Sequence, residues 1–287
     1  MAGASMKDIK MRIKSVESTM QITKAMELVA SSKLRRAKER QERCRPYFTE
    51  LRNTLDEIEA TTNDFSSPYH ANRTVKKACL IVIAGDRGLA GGYNSNVFRK
   101  AEEFLTQEAV DTCILPIGKR ALDFFRRRGY EILTEEFAEV GLLSVSDSFV
   151  LSSFIAKGYL EEKYDRVSLI YTKFISLLTQ TPDSASLLPL EAGHLQNEQK
   201  KSIEPLVLYE PGPNTVYNAI VPNYLAGMVY GAICESVASE LGARRTAMDA
   251  ASKNAAEMIE DLNLHYNRAR QGAITQEITE IVAGAEH

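Results

Sequence analysis

The glycine-rich turn from Gly85 to Gly92, with the sequence GDRGLAGG, has the composition of a ligand-binding loop. It follows an apolar run and precedes a helical stretch, where loops that bind phosphate through backbone N–H groups occur. The turn lacks the Lys-Ser/Thr ending of a P-loop, and its glycines do not have the G-x-G-x-x-G spacing. The sequence therefore favours a tight turn or a protein contact here over a nucleotide site.

Side chains that bind metals or act as nucleophiles are present but not grouped. The histidines have no metal-ligand spacing, and no Ser/His/Asp or Cys/His grouping is evident. The cysteines contain no C-x-x-C pair, so we expect reduced, mostly buried thiols rather than zinc ligands or disulfides. The residues concerned are His70, His194, His265 and His287, and Cys44, Cys79, Cys113 and Cys234. We therefore predict no catalytic site, no cofactor and no metal.

A basic run near the amino terminus has the charge expected of a surface that binds nucleic acid or an anionic membrane. It lacks interleaved aromatic residues and is diluted by Glu39 and Glu42, which favours a solvated or partner-facing surface. The run consists of Lys33, Arg35, Arg36, Lys38, Arg40 and Arg43. A DNA- or membrane-binding coiled-coil protein remains an alternative, and salt-sensitive binding would support it.

The residues from Ser5 to Ala60 include no glycine and are rich in strong helix formers, which predicts a long helix. Alternating steps of four and three from Ile9 to Ile58 give residues of which only Thr23, Glu27 and Gln41 are polar, as in a coiled-coil seam. Because Pro46 removes one backbone donor, we expect a kink or the start of a second helix there.

From Val75 the hydrophobic period changes to short apolar runs that alternate with helical stretches. The runs Ala78 to Ala84, Val110 to Gly118 and Arg166 to Phe174 predict strands of a mainly parallel sheet. Further strand candidates are Ser186 to Leu190 and Glu204 to Tyr209, separated by a polar loop from Gly193 to Ser202. The intervening helices are expected near Asn94 to Glu108, Lys119 to Arg128 and Asp147 to Tyr164.

Helical composition returns at Thr215, and Pro222 is suited to the first position of a helix that runs to Val282. The four-and-three step reappears from Tyr230 to Leu262 and includes Met258. The net charge is +7 for residues 1–45, with 12 Lys and Arg against 5 Asp and Glu, and −4 for residues 234–287, with 5 against 9. Two seams of opposite charge predict an antiparallel pair of helices.

The predicted fold is thus α/β, with long N- and C-terminal helices forming an antiparallel coiled coil and a central Rossmann-like α/β domain. We assign residues 1–60 and 214–287 to the coiled coil and residues 73–213 to the globular domain. The alternative, that both helices pack only against the α/β domain, is disfavoured by the length of each seam. A domain of that size is only about 30 Å across.

Three segments closely resemble motif regions of ATP synthase gamma subunits and occur in that family's order. They are Met6 to Ala37, Asp86 to Asn96 and Ala247 to Ala285, the last with the pattern I-T-x-E-x-x-E followed by Gly-Ala. Ala90 stands where the family commonly has cysteine, and Arg245 and Thr246 interrupt a stretch often written Ala-Arg-Met. No cysteine lies between Cys113 and Cys234, so the redox loop of the chloroplast branch is expected to be absent.

The resemblance implies a non-catalytic central-stalk subunit of a bacterial F-type ATP synthase, which rotates inside a ring of alpha and beta subunits. It would couple proton or sodium flow to ATP synthesis or hydrolysis. The implied partners are the alpha and beta subunits, the epsilon subunit and the membrane ring of c subunits, with no nucleic acid and no direct membrane insertion. The implied location is the cytoplasmic face of the cell membrane, as a peripheral protein.

The resemblance also implies two sets of partner-contact residues. The set facing the catalytic ring consists of Lys24, Met26, Arg270, Gln271, Thr275, Glu277, Ile278 and Ile281, with Val282 at the same apolar end. The set in the globular foot, near the rotor ring or the epsilon subunit, consists of Arg87, Asn94, Tyr209 and Glu210. A nucleotide-binding enzyme that uses the glycine turn and dimerises through a coiled coil remains a rival interpretation, which ATP binding by the isolated chain would support.

Overall fold

The computed structural model describes residues 6–62, 65–70, 73–108, 110–190 and 207–285, with side chains as far as Val282. The elements in chain order are α1 (Met6–Thr61), β1 (Lys77–Ile83), α2 (Tyr93–Glu108), β2 (Asp111–Ile117), α3 (Lys119–Arg127), α4 (Val145–Leu160), β3 (Arg166–Phe174), β4 (Gln180–Leu188) and α5 (Pro213–Ala285). The predicted order of a long helix, an α/β segment and a second long helix is confirmed.

Helix α1 confirms the predicted seam. Every seam position from Ile9 to Ile58 is buried or half-buried, while most positions between them are exposed. The second helix predicted at Pro46 is wrong, because α1 continues through that residue without interruption. The seam residues Cys44 and Phe48 remain partly buried on either side of the proline, and this packing offsets the lost backbone hydrogen bond.

The sheet has the strand order β2-β1-β3-β4, with β1 parallel to both β2 and β3. Strand β4 pairs antiparallel with β3 and forms the edge. A mainly parallel sheet was predicted and is confirmed. The strand predicted at Ser186 to Leu190 is confirmed in part, since β4 begins earlier, at Gln180, in a polar stretch that has no continuous apolar run.

Alternate residues of β1 contribute to two different cores, as expected for a strand covered on both faces. Cys79, Ile81 and Ile83 pack with residues of α1, α4 and α5. Leu80 and Val82 pack with residues of α2 and α3. The sheet is therefore sandwiched between layers of helices, and the long helices supply part of one layer.

Helix α5 begins at Pro213 rather than at Pro222, so the predicted start of this helix is wrong. Pro213 occupies the first helical position, where its missing N–H needs no intrahelical acceptor. Pro222 lies inside the helix, and the buried residues Val221 and Leu225 hold the chain against the core on both sides of it.

The strand predicted at Glu204 to Tyr209 is wrong for its last three residues, because Val207 to Tyr209 have no regular structure. The remainder of that prediction, and the predicted loop from Gly193 to Ser202, lie outside the described residues.

Contacts divide the chain into two compact units, of which one joins two segments distant in sequence and the other is a single continuous segment. The terminal unit comprises Met1–Ser32 and Arg244–His287, and the central unit comprises Lys33–Ala243. The proposed functional division into a shaft, residues 1–60 with 214–287, and a foot, residues 73–213, stays a prediction.

Candidate functional site

In the central unit the two long helices run antiparallel. The amide of Gln41 donates to Glu235 at 3.3 Å, while the ring of Phe48 lies against Gly227. Further along α1, Glu59 accepts a hydrogen bond from the Tyr217 hydroxyl at 3.1 Å. Later residues of α1 thus contact earlier residues of α5, which is the antiparallel arrangement that the opposed charges and seams predict.

In the terminal unit the helices meet at Thr23 and Ser252, whose hydroxyls are 2.7 Å apart. The predicted seam of α5 needs two corrections: Ser252 is buried where the half-buried Ala251 was predicted, and Met258 is exposed while Ile259 is half-buried. The less exposed residues follow steps of four and three in a register that extends further than predicted. They are Met248, Ser252, Ala255, Ile259, Leu262, Tyr266, Ala269 and Ala273.

Most of the polar residues predicted to contact the catalytic ring are exposed on the two helices of the terminal unit. Lys24 keeps 57% of its side chain exposed while its ammonium lies 2.8 Å from the Glu27 carboxylate. Arg270, Gln271 and Glu277 are exposed, and Met26 is half-buried. These side chains are available to a partner.

Thr275 lies on the same exposed stretch, but its hydroxyl donates to the backbone carbonyl oxygen of Gln271 at 2.9 Å. Such a bond within one helix satisfies the donor locally. Thr275 can therefore still accept a hydrogen bond from a partner through its hydroxyl oxygen.

Four apolar side chains form a row along the carboxyl-terminal part of α5. Ile274, Ile278, Ile281 and Val282 have exposed fractions of 47%, 56%, 71% and 55%. Their spacing of four, seven and eight residues places them on neighbouring turns of one helical face. A contiguous exposed apolar row on a helix is typical of a surface that a partner covers.

The glycine turn is held in shape by Asn94, one of the residues predicted to contact a partner. Its side-chain oxygen accepts from the Gly85 N–H at 2.9 Å, and its amide donates to the Arg87 carbonyl oxygen at 3.3 Å. The Arg87 side chain is exposed. The structure thus gives Asn94 a role in shaping the turn and leaves Arg87 free to face outward.

Asp86 organises the same region, which sequence reasoning missed. Its carboxylate accepts from the backbone N–H groups of Lys119 at 3.1 Å, Val140 at 3.1 Å and Gly141 at 2.9 Å. The carboxylate thereby joins the glycine turn to the start of α3 and to the backbone at Val140 and Gly141. The only sequence signal was an acidic residue inside a glycine-rich loop that follows a strand.

Two serines of α5 complete the hydrogen bonding of the sheet at Thr172. The Ser236 hydroxyl accepts from the Thr172 N–H at 3.1 Å, and the Ser239 hydroxyl donates to the Thr172 carbonyl oxygen at 3.1 Å. Strand β1 pairs with β3 only as far as Ile170. The serines therefore satisfy backbone groups beyond the end of that pairing and bind α5 to the sheet.

The remaining two predicted foot residues, Tyr209 and Glu210, directly precede α5. Tyr209 is half-buried and packs against the core, while Glu210 is exposed. At the carboxyl-terminal end of α1, His70 Nε2 lies 2.6 Å from both the Glu59 carboxylate and the Tyr217 hydroxyl. This polar cluster joins the end of α1 to the start of α5.

Comparisons with known proteins identify the family. The model of a family described as ATP synthase matches residues 5–287. The ATP synthase gamma chain of Alkaliphilus metalliredigens is 46% identical over 287 residues, which is 99% of each chain. That of Ruminococcus albus is 45% identical over 282 residues, 97% of this chain and 96% of its own. The chain belongs to the ATP synthase gamma chain family.

A solved structure supports the gamma chain fold. A chain of the Euglena gracilis mitochondrial ATP synthase, from a structure of its OSCP, F1 and c-ring, superposes with a TM-score of 0.67 at 19% identity. The match covers 98% of this chain and 94% of that one. Within the described residues, no helix contains a stretch long and apolar enough to cross a bilayer.

Proposed function

We propose that this gamma chain is the central-stalk rotor subunit of an F-type ATP synthase and is not itself catalytic. It rotates inside the ring of alpha and beta subunits and couples transmembrane proton or sodium flow to ATP synthesis or hydrolysis. The observation that carries the proposal is the row Ile274, Ile278, Ile281 and Val282, exposed at the end of a 73-residue helix. Such a row fits an apolar bearing formed by surrounding subunits.

The contact belt with the ring consists of Lys24 and Met26 on α1 and Arg270, Gln271, Thr275 and Glu277 on α5. A rotor changes the state of a beta subunit only if it interacts more favourably with one conformation than with another. Arginine and glutamine present donors that bind a carboxylate at one rotor angle and release it at another. The exposure of these side chains supports this role.

The foot, residues 73–213, contacts the c ring or the epsilon subunit through Arg87, Tyr209 and Glu210. Asn94 acts on this surface indirectly, because its hydrogen bonds fix the turn that carries Arg87. The shaft comprises residues 1–60 and 214–287. The complex holds the chain at the cytoplasmic face of the cell membrane as a peripheral subunit, without bound nucleic acid.

The two rival functions receive less support from these contacts. Asp86 places a carboxylate within the glycine turn, and its negative charge disfavours a phosphate there. In the basic run of α1, Arg35 lies 3.7 Å from Glu39, and the Lys38 ammonium lies over the Phe174 ring at 4.2 Å. Glu39 offsets the charge of Arg35, and the contact with Phe174 directs the Lys38 ammonium toward the protein.

The test is co-purification and rotation. The full chain, expressed with the other subunits of its own complex, should co-purify with alpha and beta subunits, and a probe fixed to its foot should rotate when ATP is hydrolysed. As a control, a chain ending before Ile274 lacks the apolar row and should rotate with reduced torque. An assembled, ATP-hydrolysing complex in which the probe stays still would refute the rotor function.

A further inference from the structure

Two cysteines lie side by side in the core of the α/β segment. Cys79 in β1 and Cys113 in β2 are direct partners in the parallel register. Both belong to the core that packs against α1, α4 and α5, with exposed fractions of 0% and 1%. The sequence separates them by 34 positions and shows no motif, so only the sheet brings them together.

The two thiols interact directly. The interaction of the two neighbouring sulfurs raises the pKa of Cys79 and lowers the pKa of Cys113, while burial raises the pKa of both. The Cys113 thiol also donates to the Ala78 carbonyl oxygen at 3.4 Å. Cys79 thus keeps its proton, and Cys113 is the more readily ionised of the two thiols.

We infer that Cys79 and Cys113 form a dithiol that low-molecular-weight disulfides oxidise to a cross-link between β1 and β2. Paired residues of neighbouring strands have Cα atoms about 5 Å apart, within the range of about 4.4–6.8 Å that a disulfide spans. Each cysteine is the third residue of its strand, so the pair lies close to the amino-terminal edge of the sheet. Local opening at that edge gives a reagent access.

The reaction proceeds by two exchanges. The Cys113 thiolate attacks one sulfur of an external disulfide such as oxidised glutathione, forms a mixed disulfide and releases one thiol. The Cys79 sulfur then attacks the Cys113 sulfur and releases the second thiol, while its own proton goes to the leaving thiolate. Two cysteine thiols are oxidised, and one external disulfide is reduced to two thiols.

The other two cysteines provide an internal comparison. Burial raises the pKa of Cys234 to about 11, which disfavours its thiolate. Cys44 on α1 is the neighbour of Cys234 on α5, and neither residue belongs to the strands that carry Cys79 and Cys113. A double variant, Cys44→Ala with Cys234→Ala, removes both without touching β1 or β2.

The experiment equilibrates the folded full chain in glutathione buffers of increasing oxidised fraction, alkylates the remaining thiols and measures intact and peptide masses. Trypsin places the two cysteines on separate peptides, Ala78 to Arg87 and Ala101 to Lys119, so a cross-link is identified directly. The wild type and the Cys44/Cys234 double variant should both lose the mass of two hydrogen atoms and yield the linked peptides. Cys79→Ala should instead stop with one glutathione on Cys113.

The inference is overturned if Cys79 and Cys113 stay alkylatable in every buffer in which circular dichroism shows a folded chain. It is also overturned if the wild type accumulates the mixed disulfide as stably as Cys79→Ala. Should Cys79→Ala fail to fold, Cys113→Ala and the peptide map of the wild type decide the question, because the linked peptides cannot form without both sulfurs.

Discussion

The hydroxyl of Ser252 in α5 donates a hydrogen bond to the hydroxyl oxygen of Thr23 in α1 at 2.7 Å. The direction follows because the single Thr23 proton is directed to the Met20 carbonyl oxygen at 3.0 Å. Both hydroxyls are therefore satisfied inside a seam whose other residues are mostly apolar. A paired polar contact at one seam position disfavours other alignments of the two helices, which would leave these groups unpaired.

A double-mutant cycle measures this contact. Thr23→Val and Ser252→Ala should each destabilise the full chain, and the two effects should couple by about 0.5–1.5 kcal/mol, the net value of one hydrogen bond. Free energies of unfolding from urea titrations supply the measurement. Thr19→Val is the matched control, because the Thr19 hydroxyl bonds only within α1, to the Ser15 carbonyl oxygen, and should show no coupling with Ser252→Ala. Equal coupling in both cycles would rule out a specific Thr23–Ser252 contact.

Two glycines one turn apart in α5 should respond in opposite ways to alanine. A Cβ at Gly227 would lie 2.1 Å from the Phe48 ring, so Gly227→Ala should destabilise the chain by about 1–3 kcal/mol through overpacking. Gly231 has no heavy atom within 4 Å of that position, so Gly231→Ala should stabilise the helix by about 0.5–1 kcal/mol. Thermal unfolding midpoints distinguish the two. A stabilising Gly227→Ala would mean that the helices are further apart there.

Replacing the serines that bind Thr172 with alanine should lower the free energy of unfolding. Ser236→Ala and Ser239→Ala each leave a buried backbone group of β3 unpaired, which costs about 1–3 kcal/mol. Ser152 is the control, because its buried hydroxyl has no hydrogen-bond partner and Ser152→Ala should be neutral or stabilising. Denaturant midpoints of the three variants test this order, and a Ser152→Ala variant as unstable as the other two would contradict it.

The His70 cluster should make stability depend on pH. Burial lowers the pKa of His70, and the nearby Glu59 carboxylate only partly opposes that shift. The facing Tyr217 hydroxyl stays protonated because burial raises its pKa. A histidine with a lowered folded pKa contributes stability above its unfolded pKa of about 6.5, and the contribution is lost as the pH falls toward the folded value.

The free energy of unfolding of the wild type should therefore decrease more steeply below about pH 6.5 than that of His70→Gln. Unfolding curves between neutral and mildly acidic pH give the comparison. His265→Gln, which changes an exposed histidine on α5, should follow the wild type. A wild-type curve that becomes relatively more stable on acidification would reverse the sign and show that the ion pair with Glu59 dominates.

The proposed ring contact at Arg270 and Gln271 predicts a functional effect without a structural one. Replacing both exposed residues with alanine should change stability by less than about 0.5 kcal/mol. Loss of charge-assisted bonds worth about 1.5–3 kcal/mol should nevertheless alter ATP hydrolysis and ion-driven synthesis in complexes of equal subunit content. Arg268→Ala, on the same exposed stretch but outside the contact set, is the control. Unchanged hydrolysis and synthesis in the double variant would remove these residues from the contact belt.

Local periodicity was sufficient to predict most of the architecture. The seam of α1 from Ile9 to Ile58 is visible in the sequence because each position repeats the same helical face, and burial follows that repeat. The three parallel strands were equally visible as apolar runs, since strands covered on both faces need continuous hydrophobicity. The helix boundaries predicted at Pro46 and Pro222 were wrong. The sequence shows the hydrogen bond that a proline removes from a helix, but not the tertiary packing that offsets this loss at the two positions.

The tertiary structure alone decided which polar groups meet. Asp86 accepts hydrogen bonds from amides 33 to 55 residues away. Ser236 accepts from the N–H of Thr172, 64 positions earlier, in place of a neighbouring strand. Cys79 and Cys113 become neighbours only because two parallel strands share one register. Whether a hydrogen bond or thiol contact of this kind forms depends on differences of a few tenths of an ångström in the distance between the two atoms. A repeat in the sequence determines the face on which a residue lies, whereas the packing of the elements determines its partners.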